Sequence, residues 1–192
     1  MSTEPDTPTA VFLGDSYTVG TATSLDGTGF PAILGDLRGW HVVNLGFPGT
    51  GYSTGQPDGR CPPAGCTSYI GVLPDAVAAQ PDIIVVSGGR NDLGRPSLDE
   101  AVAAFYPELR AALPNTRVIV TSPLWDDSPT PAALVELREV VEREATAIDA
   151  EHLDLGDLFL DRPDLIAPDD LHPNEAGLEL IATTIDAILP LE

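Results

Sequence analysis

The 192-residue chain contains no lysine; its nine basic residues are all arginine and face 30 acids, for a formal net charge of −21. Without lysine there is no Schiff base, no phosphate loop of the GxxxxGK type and no lysine-assisted nucleophile. A field of this sign also repels phosphate backbones and anionic lipid headgroups, so nucleic acid is not an expected partner. Apolar runs are short of the roughly 18 residues that a membrane span requires, and no span is predicted. The opening MSTEPDTPTA lacks the basic and apolar regions of a signal peptide. Cysteine is confined to Cys61 and Cys66, which flank PPAG. Their spacing permits a small disulfide, which favours a secreted or extracytoplasmic location; two free thiols would fit the cytoplasm. No CxxC spacing or nearby histidine joins them, so no metal site is expected.

What the chain does have is hydrophobic content, 43%, enough for one domain over residues 1–192 with residues 1–8 as a flexible arm. Five short β-rich runs read as buried strands: Thr9 to Leu13, His41 to Leu45, Ile83 to Ser87, Arg117 to Thr121 and His152 to Leu155. Helical spacing fills Tyr69 to Ala79, Ser97 to Leu113, Pro131 to Ala150 and Asn174 to Leu189, with Ser97 and Asp99 as start signals of the second. This alternation predicts an α/β fold, a three-layer α/β/α sandwich around a five-stranded parallel sheet. Function in such sheets gathers at the carboxyl ends of the strands. Four loops fall there: Gly14 to Ser16, Asn44 to Gly51, Ser87 to Asp92 and Asp169 to His172. His41 and His152 begin their strands, which leaves His172 as the histidine placed to work with the loops.

A serine hydroxyl becomes a useful nucleophile when a neighbouring base takes its proton, and imidazole suits that task near neutrality. Ser16 and His172 are the natural pair. A carboxylate on the other ring nitrogen fixes the tautomer and stabilises the imidazolium. Asp169, three residues before His172, is spaced for that on one helical turn, with Asp157 and Asp161 as weaker substitutes. Acyl transfer also builds charge on the carbonyl oxygen, and the Ser16 N–H, a glycine N–H after the second strand and the Asn91 amide are candidate donors. Singly, Ser16 could be a helix cap, Asn91 and Asp92 an Asx turn and His172 a cap. Those readings do not explain four blocks gathered at one end of a sheet.

These blocks resemble the SGNH hydrolases, also called GDSL esterases and lipases. Gly14-Asp15-Ser16, with Gly20 beyond, resembles the first block; Asn44 to Gly49 the second; Gly89-Arg90-Asn91-Asp92 the third; and Asp169-Asp170-Leu171-His172, followed by Pro173, Asn174 and Gly177, the fifth. The resemblance implies a flavodoxin-like fold, Ser16 as nucleophile, Asp169 and His172 as its triad partners, and an oxyanion hole of Ser16, Gly49 and Asn91. Gly46 and Gly51 flank Gly49 and remain alternatives. Asp15, Phe47, Arg90 and Trp125 are candidates for the substrate pocket, Arg90 for a polar or anionic group and Trp125 for an acyl or alcohol pocket. The expected activity is serine esterase on short, acetyl-type esters of a small molecule or carbohydrate, with no cofactor. An O-acyltransferase using the same triad is one alternative. A flavin- or phosphate-binding module built on Ser16, Thr18, Gly20 and Thr21 is another.

Overall fold

Each of the five short runs becomes a strand of one sheet. The computed structural model describes residues 7–55 and 68–190. Within them β1 (Thr9–Gly14), β2 (His41–Asn44), β3 (Ile83–Ser87), β4 (Arg117–Thr121) and β5 (Glu151–Leu153) lie in the order β2-β1-β3-β4-β5. All neighbours are parallel, with Val11 of β1 opposite Val43 of β2 on one side and Ile84 of β3 on the other. The order reverses at β1, so the loops after β1 and β3 part there and leave a crevice at the carboxyl end. Cys61, Cys66 and most of the expected N-terminal arm lie outside the described residues.

Among the described residues six helices cover the sheet: α1 (Ser16–Val19), α2 (Gly29–Arg38), α3 (Tyr69–Ala78), α4 (Leu98–Ala112), α5 (Ala132–Thr146) and α6 (Glu175–Ile188). The two-residue period of β1 divides the core. Ala10 and Phe12 pack with Phe30 and Leu34 of α2 and with Ile181 and Ile185 of α6. Val11 and Leu13 pack on the other face with Tyr69 of α3, Phe105 and Leu109 of α4, and Val141 of α5. Burying a side chain of this size stabilises the fold by about 1.5–3 kcal/mol, so both layers hold the strand ends firmly.

Three local features differ from expectation. Helix α2 lies in a stretch too rich in glycine and proline to read as helical. Pro31 stands in its first turn, where an N–H needs no intrahelical acceptor, while Phe30 and Leu34 are fully buried. Ser97 sits at the cap of α4 but adopts a left-handed backbone with φ 60° and makes no side-chain cap bond; Asp99 and Glu100 face the positive end of the helix instead. Finally, Asp169 to His172 form a turn and bend rather than a helical turn, with Asp170 left-handed at φ 54°.

Candidate active site

The turn that carries Ser16 is built by its neighbours. Asp15 caps α1, its carboxylate accepting the Tyr17 N–H at 3.0 Å, and this leaves Ser16 as the first helical residue, whose own N–H has no intrahelical acceptor. The Thr18 hydroxyl donates to the Ser87 carbonyl at 3.2 Å and is fully buried, which removes it from any phosphate-binding role. Asn44 ties the loop after α1 to β2, its amide donating to the carbonyls of Thr18 at 3.1 Å and Thr28 at 3.2 Å.

Asp169 holds the loop of His172 by three contacts. One carboxylate oxygen accepts the backbone N–H groups of Leu171 at 3.1 Å and His172 at 3.0 Å, and the other lies 2.6 Å from His172 Nδ1. The left-handed Asp170 reverses the chain, so the short carboxylate reaches forward to residues two and three ahead. Partial desolvation raises the Asp169 pKa, but the hydrogen bonds from His172 and Leu171 outweigh it and the net shift is downward. An ionised carboxylate only accepts, so Nδ1 carries the proton and Nε2 presents a lone pair. The loop is stapled at both sides: Ala167 N donates to the His172 carbonyl at 2.7 Å and Asn174 N to the Leu165 carbonyl at 2.9 Å. Asp157 is occupied by Arg138 at 2.7 Å and Thr130 at 2.8 Å.

Of the three candidate glycines, Gly46 N donates to Asn44 Oδ1 at 2.9 Å and Gly51 N to the Thr54 carbonyl at 2.9 Å. The Gly49 N–H has no acceptor among the described residues, and Gly49 lines the cleft at φ 77°, a backbone region that glycine enters without strain. Asn91 gives one amide hydrogen to the Thr50 carbonyl at 3.0 Å, which leaves the second for the cleft. Ser16, Gly49, Asn91 and His172 all line one cleft of about 430 Å³. No hydrogen bond joins the Ser16 hydroxyl to the imidazole, although both line the cleft.

Sequence reasoning missed how this arrangement is pinned. Asp92 is fully buried, and its carboxylate accepts Tyr52 N at 2.7 Å, Ser53 N at 3.1 Å, Ser53 Oγ at 2.9 Å and Thr54 N at 2.9 Å. A Cβ at Gly51 would stand 2.2 Å from Asp92 Oδ2, so glycine there lets the loop after β2 close onto the carboxylate. The signal was Asp92 itself, adjacent to Asn91.

Of the four residues expected in the pocket, Phe47 lines the cleft with Pro48 and Leu171. The other three do not. Asp15 is 1% exposed and turned to its own helix; burial pushes its pKa up to about 6, against the opposing pull of the Tyr17 N–H and of Arg90. Arg90 turns away from the cleft to pair with Asp126 at 3.0 Å, its guanidinium stacked 4.4 Å from the Trp125 ring. Trp125 is held in turn by Ser128 Oγ, 3.0 Å from its indole N–H. The polar wall of the cleft comes instead from Thr21 and Asp26. His41 and His152 lie outside it.

The strand order and these loops define a class, the SGNH hydrolase fold. Residues 12–180 match the model of the GDSL-like lipase/acylhydrolase family, and the chain belongs to that family, as a carboxylic ester hydrolase. A GDSL lipase of Mycobacterium tuberculosis, Rv0518, is 32% identical over 197 residues, spanning 96% of this chain and 82% of the relative. Among solved structures, the psychrotrophic esterase EstA from Pseudoalteromonas sp. superposes with a TM-score of 0.67 at 19% identity, covering 94% of this chain and 95% of its own. A catalytic mutant of the acetylxylan esterase Axe2 from Geobacillus stearothermophilus gives 0.64 at 19% identity, with 96% and 95% covered. Among the described residues no helix is long and apolar enough to cross a membrane, and no group of acidic, histidine or cysteine side chains is arranged to hold a metal.

Proposed function

We propose that the chain hydrolyses short acyl esters of hydroxyl-rich alcohols, acetyl esters foremost, through Ser16, His172 and Asp169. The observation that carries this is the convergence in one cleft of Ser16, the Asp169-anchored imidazole, the unused Gly49 N–H and Asn91. His172 Nε2 takes the Ser16 proton as Oγ attacks the acyl carbon. The resulting oxyanion is met by the N–H groups of Ser16 and Gly49 and by the Asn91 amide, donors typically worth about 10²–10³ each in rate. The imidazolium, stabilised by ionised Asp169, gives its proton to the departing alkoxide. Water, activated by the same nitrogen, then attacks the acyl-enzyme and releases the acid.

The substrate class follows from the walls. Phe47, Pro48 and Leu171 offer a short apolar surface for the acyl group. On the same cleft, the exposed Asp26 carboxylate offers hydrogen-bond acceptors to an alcohol bearing further hydroxyls. The likeness to an acetylxylan esterase supports the same direction. The test is hydrolysis of p-nitrophenyl esters from acetyl to octanoyl by wild type and Ser16→Ala. Acetyl is expected to be the preferred chain, with activity lost in the variant; a preference for octanoyl would reject the short-acyl assignment.

A further inference from the structure

The catalytic blocks come from separate loops, and one buried cluster outside the cleft touches three of them. Tyr17 follows the nucleophile directly. Its hydroxyl donates to the Leu171 carbonyl at 2.6 Å, and its ring meets the His172 ring edge-on at a centroid distance of 6.0 Å. Phe159, fully buried, backs the same ring at 6.3 Å. Arg90, between Gly89 and Asn91, donates through NH1 to the Tyr17 oxygen and lies 4.8 Å above that ring. Its NH2 donates to Asp126 at 3.0 Å, and the Arg90 and Asp126 side chains are 8% and 11% exposed. Asp126 is fixed by the Ser128 N–H at 3.1 Å.

Resting on the triad assigned above, we propose that Tyr17, Arg90 and Asp126 form a positioning relay that sets the His172 loop against Ser16 and Asn91. The phenol is both acceptor and donor in it. Arg90 fills the oxygen lone pair, which polarises the O–H toward the Leu171 carbonyl, one residue before the general base. The planar guanidinium is needed because it must donate to Tyr17 and Asp126 at once while stacked between two aromatic rings, which an ammonium cannot do. Leu171 and His172 lie in a bend whose backbone is tied by Ala167 N to the His172 carbonyl, and this contact and the Asp169 bonds join that tie in setting where the imidazole stands. A displacement of about 1 Å at such a base can cost on the order of 10²-fold in rate while leaving binding intact. Arg90 therefore acts through Tyr17 and not on the substrate.

The experiment is a double-mutant cycle of Tyr17→Phe and Arg90→Met on p-nitrophenyl acetate, with organophosphonate titration of Ser16 in each protein. Tyr17→Phe keeps the ring packing and removes the bond to Leu171. It is expected to lower kcat about tenfold with KM within about twofold. Arg90→Met should do the same alone and add little in the Tyr17→Phe background, because both act through one contact. Arg90→Lys should not restore kcat. A rise in KM with unchanged kcat for Arg90→Met would overturn the relay and return Arg90 to substrate binding, as would fully additive effects or an unchanged kcat in Tyr17→Phe. Failure of the organophosphonate to label Ser16 in wild type would instead reject the underlying triad.

Discussion

Replacing Asp92 with asparagine perturbs the oxyanion side of the site without touching a reacting group. Asp92 accepts four hydrogen bonds from Tyr52, Ser53 and Thr54 in a fully buried position. With the asparagine oxygen at the Oδ1 place, three of them survive but lose charge assistance, at about 1 kcal/mol each. The amide NH₂ then faces the Tyr52 N–H, 2.7 Å from the former Oδ2, and a buried donor left without an acceptor costs about 1–3 kcal/mol. The neutral amide recovers part of this through easier desolvation, which leaves a net destabilisation of about 3 kcal/mol. The released loop carries Thr50, whose carbonyl holds Asn91, and Gly49 just before it, so the two proposed oxyanion donors shift together. Urea denaturation should show the loss in midpoint, and kcat for p-nitrophenyl acetate should fall about 10–100-fold, within what oxyanion donors contribute. A stability change below about 1 kcal/mol, within the range of ordinary surface changes, together with unchanged kcat would refute the pinning role.

Other outcomes follow from the same geometry. Asp169→Asn places an amide donor against His172 Nδ1, which favours the wrong tautomer; kcat should fall about 10³–10⁴-fold in single-turnover assays, and a fall under tenfold would reject the orienting role. Asp15 has a pKa of about 6 folded against 3.8 in its unperturbed state. A carboxyl raised in this way contributes stability that is complete below pH 3.8 and lost as pH rises through about 6, some 3 kcal/mol in all as an order of magnitude. Asp15→Asn, which can still accept the Tyr17 N–H, should therefore gain stability relative to wild type between pH 4 and pH 8; parallel denaturation curves at both pH values would contradict this. Asp26→Ala should raise KM about tenfold for an acetylated sugar and leave p-nitrophenyl acetate hydrolysis unchanged, as expected for loss of hydrogen bonds to a charged acceptor.

Much of the sheet was legible because β-branched runs such as Ile83 to Ser87 are buried on both faces, and a continuous apolar run has few other places to go. Helix α2 was not, since Gly29, Pro31 and Gly35 obscure the helical pattern while Phe30 and Leu34 pack it to α6 from a distance in sequence. The four blocks and their common end of the sheet were readable from order alone. Which of the Gly46, Gly49 and Gly51 N–H groups stays unused was not, because it depends on what other groups consume: Asn44 and Thr54 take two and leave that of Gly49. Where Asp15, Arg90 and Trp125 stand relative to the cleft was illegible for a related reason. A charged or aromatic residue beside a motif looks available in sequence, while in the fold Asp15 is drawn to a helix N–H and Arg90 to Tyr17, Trp125 and Asp126. Tyr17 passed unnoticed as a residue next to Ser16, although its ring and hydroxyl reach across the fold to Leu171 and His172.

The most direct test of the account is the covalent intermediate. Rapid quenching of wild type with p-nitrophenyl acetate, followed by peptide mass spectrometry, should find one acetyl group on the peptide carrying Ser16, absent from Ser16→Ala, whose turnover is also lost. An acetyl group on another residue, or a Ser16→Ala variant that retains full turnover, would contradict the assignment of Ser16 as nucleophile.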